Sequence, residues 1–176
     1  EVDFVEPDKR AINKLNLNHG SHFRSLDEIV DNKYDLIVVN QVLEHVSEPM
    51  TFISKISDLL NNDGYLYIDT PNRDCEFKDD ISPHVLFWNI NSMKGFFNLQ
   101  GFETIFIDSA GMLISDAKVY FQNLTIYQKL ISFNFLKNFL IKKLFNHNIF
   151  SNKLEENLSK YGGERIWVRG IFKKPN

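Results

Sequence analysis

The chain has 176 residues, which suits one domain, and its 43% hydrophobic content is enough for a core. Its formal net charge of -3 predicts no nucleic-acid partner, because nucleic-acid enzymes more often carry a clear basic face. The single cysteine, Cys75, excludes a disulfide framework and a cysteine zinc site, so the cytoplasm is the expected compartment. No run of about 18 apolar residues occurs, so stable membrane insertion is not expected.

The first segments of the chain indicate a strand, a helix and a second helix start. Residues 2–7, VDFVEP, predict a short strand whose end carries an acid, Glu6, and a helix with one apolar face follows. Residues 23–29, FRSLDEI, indicate a helix start in which Ser25 is the cap and Glu28 its capping-box partner.

Residues 34–72 predict a strand, a helix and a second strand without interruption. The continuous apolar run at 36–39 is typical of a strand buried on both faces of a parallel sheet, and Asn40 and Gln41 end it. Ser47 is predicted to cap the next helix, with Pro49 in its first turn. A turn at 61–64 precedes the second strand, at 65–68, so the unit is a parallel crossover. Ligands bind beyond the carboxyl ends of such strands, which makes Asn40 and Gln41 site candidates.

The remainder of the chain predicts a loop, a helix and two strands that flank a long insertion. The polar residues 73–83 predict a mobile loop over the crevice. A helix at about 92–99 ends at Gly101, and strands are expected at 102–108 and 165–172. Between these strands, residues 110–162 are strongly apolar and predict one or two helices.

This ordered series of motifs resembles the class I S-adenosylmethionine-dependent methyltransferases of the small-molecule type. The likeness is carried by an apolar strand, VLEHV with a following proline, a helix, a turn and a second strand that ends in TPN. It implies an α/β fold with a Rossmann-like methyltransferase sheet, in a single partial domain over 1–176 that contains a helical insertion at 110–162. The sheet is expected to be incomplete at the N-terminus.

The resemblance implies S-adenosyl-L-methionine as cofactor and suggests the residues that bind it. Glu6 stands where the family keeps its ribose-binding acid, although an exposed acid before a helix N-terminus explains it too. Leu26 and Asp27 would lie along the adenine, and the capped helix start explains them nearly as well. The predicted cofactor-binding residues are Glu6, Pro7, Leu26, Asp27, Asn40, Gln41 and Val42.

One part of the family pattern has no counterpart in this sequence. The family's first strand and its glycine-rich turn should precede Glu6, and that strand lies between those ending at Glu6 and Val39. Without it, two buried strands would have unpaired edges, so we expect a fragment of a longer product, a loss, or completion by another chain.

His84 is the predicted catalytic residue, as a general base that removes a proton from an acceptor hydroxyl. Substrate contact without proton transfer and a purely structural role are the alternatives. Glu44 and His45, with His84, resemble the metal cluster of small-RNA 2′-O-methyltransferases. Gln41 stands where those enzymes have a second glutamate, and an amide is a poor ligand for a hard cation, so no metal is predicted.

The insertion leaves four uses open: packing onto the sheet, a lid over the acceptor, a homodimer contact, or a membrane-surface helix. The predicted function is methyl transfer to a small-molecule acceptor, at a hydroxyl of a sugar, a sugar nucleotide or a similar metabolite. The alternative is a catalytically inactive methyltransferase-like interaction or regulatory module. Another nucleotide-binding enzyme, such as a dehydrogenase, would not account for LEHV and TPN.

Overall fold

The computed structural model describes residues 2–12, 20–131 and 160–175. The strands are β1 (Phe4–Val5), β2 (His22–Phe23), β3 (Tyr34–Asn40), β4 (Leu60–Pro71), β5 (Glu103–Leu113) and β6 (Arg165–Lys173). The helices are α1 (Lys9–Ile12), α2 (Pro49–Leu59), α3 (Ile90–Leu99) and α4 (Ile114–Ile131). Three short 3-10 turns lie at Leu26–Glu28, Leu43–His45 and Asp74–Glu76.

The described strands form two sheets. β1 and β2 pair in parallel, and the second sheet has the order β3, β4, β6, β5. β3 and β4 are parallel across α2, which confirms the predicted crossover, while β6 runs antiparallel to both of its neighbours. The fold is therefore the predicted α/β type. Within the described part of the chain, strand pairing does not join the two sheets.

The four-stranded sheet has one covered face and one that is largely open. Val39, Ile68 and Gly170 are cross-strand neighbours on the covered face, which packs in the main core with Ile53 of α2 and Phe97 of α3. The open face carries Leu36, Val38 and Tyr65, whose exposed fractions are 56%, 58% and 41%. The prediction that residues 36–39 are buried on both faces is therefore wrong for two of them.

The ends of the elements differ in detail from the sequence-based expectation. α2 begins at Pro49 as predicted, but its N-cap is Glu48 and makes no side-chain capping bond, so the prediction for Ser47 is wrong. β4 begins at Leu60, because that residue already pairs with Tyr34. α3 begins at Ile90, two residues before the predicted start.

A second, smaller core lies where the insertion leaves the sheet. It consists of the buried side chains of Phe77, Ile114, Ala117 and Tyr161. β5 extends to Leu113, and α4 begins directly after it, so a helix does start within the predicted insertion. Residues 132–159, where most of the insertion and its predicted uses fall, lie outside the described residues.

Polar contacts link the N-terminal strands to the large sheet. The hydroxyl of Tyr34 in β3 donates to the Asp3 carboxylate at 2.7 Å, and the amide of Ser21 donates to the same carboxylate at 2.7 Å. These bonds, first that from Ser21, hold the pKa of Asp3 below its usual value. Lys55 of α2 pairs with Asp27 at 2.5 Å.

Among the described residues, no helix combines the length and the apolar character that crossing a bilayer requires.

Candidate functional site

The candidate site lies at the carboxyl ends of β3 and β4. Asn40 ends β3, and the chain then turns through Gln41 and Val42 into the 3-10 turn Leu43–His45. Thr70 lies near the end of β4, and the loop that follows carries Asp74 and His84. This is the edge of a parallel pair at which ligands bind in open α/β sheets.

Glu44 is the central buried acid of this site. Its side chain is 1% exposed, and one carboxylate oxygen, Oε2, accepts a bond of 2.8 Å from the Thr70 hydroxyl. The other oxygen, Oε1, is buried and has no hydrogen-bond partner among the described residues. Burying a carboxylate is costly unless its lone pairs are satisfied, so this oxygen marks a site where a partner is missing.

His84 is held by a second buried acid, Asp74. Its Nδ1 lies 2.6 Å from Oδ2 of Asp74, whose side chain is 1% exposed. A carboxylate oxygen accepts, so Nδ1 carries the hydrogen and Nε2 keeps a free lone pair. The Lys78 ammonium lies 3.6 Å from the same oxygen and partly balances its charge. The carboxylate therefore fixes both the orientation and the tautomer of His84.

His45 lies beside His84 because the backbone brings the two segments together. The carbonyl of Glu44 accepts bonds from the amides of Val85, at 2.8 Å, and Leu86, at 3.1 Å. The two imidazole rings meet edge to face with centroids 4.8 Å apart. His45 Nδ1 donates to the Pro83 carbonyl at 3.4 Å, and its Nε2 lies 3.8 Å from Glu44 Oε1.

A charged network lies next to this cluster. The side-chain amide of Gln41 donates to Asp69 Oδ1 at 2.6 Å, and Nε of Arg169 donates to Oδ2 at 2.6 Å. Asp69 raises the pKa of the Arg169 guanidinium, chiefly through this hydrogen bond. Burial, and then Asp69, raises the pKa of the Tyr67 hydroxyl. Gln41 is thus held by Asp69 in a left-handed conformation, with φ 53.

Four of the predicted cofactor residues lie in the N-terminal part of the chain, two directly after β1 and two in the 3-10 turn after β2. Glu6 and Pro7 follow β1 directly, and Glu6 Oε1 accepts from the Asp8 amide at 2.8 Å. A carboxylate has about four acceptor positions, so Glu6 keeps capacity for ribose hydroxyls and fits the cofactor. Leu26 packs against the main core, and Asp27 is paired with Lys55.

The other predicted cofactor residues lie at the end of β3. Asn40 and Val42 are exposed there, the latter by 41%, while Gln41 bonds to Asp69. Exposed side chains at a strand's carboxyl end are available to a nucleoside ligand. The cofactor-binding role of the seven residues stays a prediction.

Sequence reasoning missed two residues of this site, Asp74 and Thr70. Asp74 lies in a stretch rich in acids, and only the fold shows that it is the one buried against His84. Residues 73–83 were expected to be a mobile polar loop, but Asp74 and Phe77 are buried, so the expectation of a polar, unpacked loop is wrong for them. Desolvation, and then the carboxylates of Asp74 and Glu76, raise the pKa of the Cys75 thiol, which makes it a poor nucleophile.

A separate surface depression lies at the opposite end of β3. It is lined by Lys33, Asp35, Leu60, Asn61, Asn62 and Lys174. Tyr34 begins β3, so this depression is at the amino end of the strand, away from Glu44 and His84. It has no part in the candidate site.

The fold and the strand-end site define a Rossmann-like α/β protein. A family model described as a methyltransferase domain matches residues 1–111, which is more than half of the chain. The chain belongs to this methyltransferase domain family. The predicted class and fold are therefore confirmed, the family supports S-adenosylmethionine as cofactor, and the dehydrogenase alternative falls away.

Solved structures show the same fold at low sequence identity. An S-adenosylmethionine-dependent methyltransferase from Archaeoglobus fulgidus is 13% identical with a TM-score of 0.60, and the match covers 99% of this chain and 76% of that one. The N-methyltransferase NodS from Bradyrhizobium japonicum is 12% identical with a TM-score of 0.56, and the match covers 99% of this chain and 73% of NodS. The cyclase SpnF is 16% identical with a TM-score of 0.53, and the match covers 94% of this chain. It covers 60% of SpnF, so the chain spans less than two thirds of that protein. No curated protein matches the chain significantly.

Proposed function

We propose that this protein transfers a methyl group from S-adenosylmethionine to a hydroxyl of a small molecule, such as a sugar or a sugar nucleotide. The observation that carries the proposal is the pair of Asp74 and His84, at 2.6 Å, beside the carboxyl ends of β3 and β4. Family membership supports the reaction class, and the histidine supports an acceptor that must lose a proton.

The residues that would hold the cofactor are those at the strand ends. Glu6 would accept hydrogen bonds from the ribose, while Asn40 and Val42 offer exposed contact surface after β3. When bound, the cofactor would supply a methyl group activated by its sulfonium; in-line attack of the acceptor oxygen on the methyl carbon would break the carbon–sulfur bond and release S-adenosylhomocysteine. Positioning at near-attack distance is then the main task of the protein.

His84 would act on the acceptor hydroxyl through Nε2. Because Nδ1 is occupied by Asp74, the proton released by the hydroxyl passes to Nε2, and the resulting imidazolium is stabilised by the buried carboxylate. General-base assistance of this kind contributes about a hundredfold to ten-thousandfold in rate. The side chain is 15% exposed, so it is accessible from the crevice but largely shielded from water.

The first test is calorimetric titration of S-adenosylmethionine and S-adenosylhomocysteine into the full-length protein and its Glu6→Ala variant. We expect the variant to bind at least about tenfold more weakly, which corresponds to about 1.4 kcal/mol. Glu103→Ala is the matched control, because it removes an exposed acid at the start of β5. If the folded full-length protein binds neither compound, the proposed enzymatic activity is contradicted, and the alternative of an inactive interaction or regulatory module is favoured.

The second test addresses the acceptor. A radiolabelled methyl donor incubated with a panel of sugars and sugar nucleotides should label a hydroxyl oxygen, and mass spectrometry of the product should locate the added methyl group. Labelling confined to amine acceptors would refute the hydroxyl specificity while leaving the methyltransferase activity intact. The cytoplasmic location and a homodimer through the insertion stay predictions.

A further inference from the structure

The buried oxygen Oε1 of Glu44 is aimed at two imidazole rings. Its partner oxygen is satisfied by Thr70, whereas Oε1 has no hydrogen-bond partner among the described residues, and His45 Nε2 lies 3.8 Å from it. Ligand atoms of Glu44, His45 and His84 all lie within 4.8 Å of one another. A desolvated carboxylate oxygen without a partner is costly, and a cation would compensate it.

The hydrogen bonds of the two histidines determine which ring nitrogen of each keeps a lone pair. Nδ1 of His84 is bonded to Asp74, and Nδ1 of His45 to the Pro83 carbonyl; both partners can only accept. Each Nε2 therefore carries a lone pair. Histidines that ligate metals commonly donate their other ring N–H to a carboxylate or a backbone carbonyl, as these two do.

All three potential ligands are thus held by a second group: Thr70 for Glu44, Pro83 for His45 and Asp74 for His84. The sequence argument against a metal depended on Gln41, which stands where a second acid would be needed. In the structure Gln41 bonds to Asp69, and the cluster contains a carboxylate and two imidazoles without it. The absence of a second acid at position 41 therefore leaves three potential ligands in place.

We propose that Glu44 Oε1, His45 Nε2 and His84 Nε2 bind a divalent transition-metal ion such as Zn²⁺, Co²⁺ or Mn²⁺. Two imidazoles and one carboxylate are a ligand set for these ions, and they leave further coordination positions open for a substrate oxygen. Ligands at about 2.0–2.2 Å from zinc require the three atoms to move closer together than they now lie. The ring of His45 can contribute to that movement, since its side chain is 38% exposed.

The catalytic meaning of the site rests on the proposed function, whereas the binding of the ion does not. Without the ion, Nε2 of His84 is free to accept the proton of the acceptor. With the ion bound, that nitrogen is a ligand, and the acceptor oxygen binds to the ion, which lowers the pKa of the hydroxyl. The proton then passes to solvent.

The test is equilibrium dialysis of the tag-free protein against Zn²⁺ and Co²⁺, with the absorption spectrum of the Co²⁺ form as a second readout. We expect a single ion per chain, and at least about tenfold weaker binding in Glu44→Gln and in His45→Ala. His22→Ala is the matched control, because His22 bonds to the Glu6 carbonyl outside this cluster, and it should change the affinity less than about twofold.

The metal-binding test includes a check that each variant is folded, and it is separated from the measurement of cofactor binding. Glu44 is buried, so Glu44→Gln is checked by circular dichroism; His45 is exposed, so His45→Ala gives the same information if the first variant unfolds. Metal binding is measured without cofactor or acceptor, and cofactor binding is measured with a chelator present, so either can fail alone. No binding by the folded wild type, or equal loss of binding in His22→Ala, would overturn the proposed metal site.

Discussion

At the scale of single residues, the chemistry of the site depends on which lone pairs and protons are already engaged in hydrogen bonds. Asp74 is almost fully buried, and its carboxylate oxygen at 2.6 Å determines which nitrogen of His84 carries hydrogen. Lys78, at 3.6 Å, is too distant to replace that bond. Removing the charge of Asp74 should therefore change the chemistry of His84 more than its position.

We predict that Asp74→Asn lowers kcat by roughly ten- to a hundredfold while the Kd for S-adenosylmethionine stays unchanged. The asparagine keeps the shape of the side chain, but its amide group can donate to Nδ1 and so favours the tautomer in which Nε2 carries the proton. Steady-state kinetics with the acceptor at saturation, together with calorimetry of cofactor binding, measure the two quantities.

Asp79→Asn makes the same substitution at an exposed position of the same loop and should leave kcat within about twofold of the wild type. A melting temperature for each variant separates loss of stability from loss of chemistry. If Asp74→Asn retains the wild-type kcat, or if only KM changes, His84 is not the base that Asp74 orients.

At the scale of elements, periodicity predicted more than capping did. The parallel unit of β3, α2 and β4 was predicted from an apolar run, a helical repeat and a turn, because burial alone produces those patterns. The caps depend on single hydrogen bonds. At α3, Asn89 accepts from the Ser92 amide, and Ser92 accepts from the Asn89 amide, a reciprocal box without the usual glutamate.

The site could be predicted only in part, for a similar reason. Strand ends locate Asn40, Gln41 and the loop with His84, because the direction of parallel strands determines the edge at which ligands bind. The partner of His84 could not be read from the sequence, since Asp74, Asp79 and Asp80 all lie in the same loop. In the structure, Asp74 is buried and bonds to His84, whereas Asp79 and Asp80 are exposed.

Two glycines allow the packing of the covered sheet face to be tested. A Cβ at Gly170 of β6 would lie 2.5 Å from the ring of Phe172, which is fully buried and stacks on Phe97. We predict that Gly170→Ala destabilises the protein by about 1–3 kcal/mol, because the ring has no room to move aside. Chemical denaturation measures the free energy of unfolding.

Gly95→Ala in α3 is the matched control, since a Cβ there meets nothing within 4 Å. Alanine is the better helix former by about 0.5–1 kcal/mol, so this variant should be more stable than the wild type. Opposite signs for the two substitutions support the described packing of β6 and α3. A neutral Gly170→Ala would show that Phe172 does not fill the space next to it.

At the scale of the whole molecule, the start of the insertion is tied to the loop that carries Asp74. Phe77 of that loop stacks on Phe121 of α4 with ring centroids 6.0 Å apart, and the Tyr161 hydroxyl donates to the Glu76 carbonyl at 3.4 Å. Lys160 pairs with Glu76 at 2.9 Å, close to β6. Contacts made after residue 113 therefore hold a loop that follows β4.

We predict that Phe121→Ala raises the KM for the acceptor severalfold and lowers stability by about 1–3 kcal/mol, because Phe77 loses part of its cover and the loop shifts around Asp74. The Kd for S-adenosylmethionine should not change, since the predicted cofactor residues follow β1, β2 and β3. Tyr120→Ala is the control: the ring is adjacent, but it is 52% exposed. If Phe121→Ala weakens cofactor binding as much as it raises the acceptor KM, a specific link between α4 and the acceptor side is contradicted. The same conclusion follows if Tyr120→Ala raises the acceptor KM as much as Phe121→Ala does.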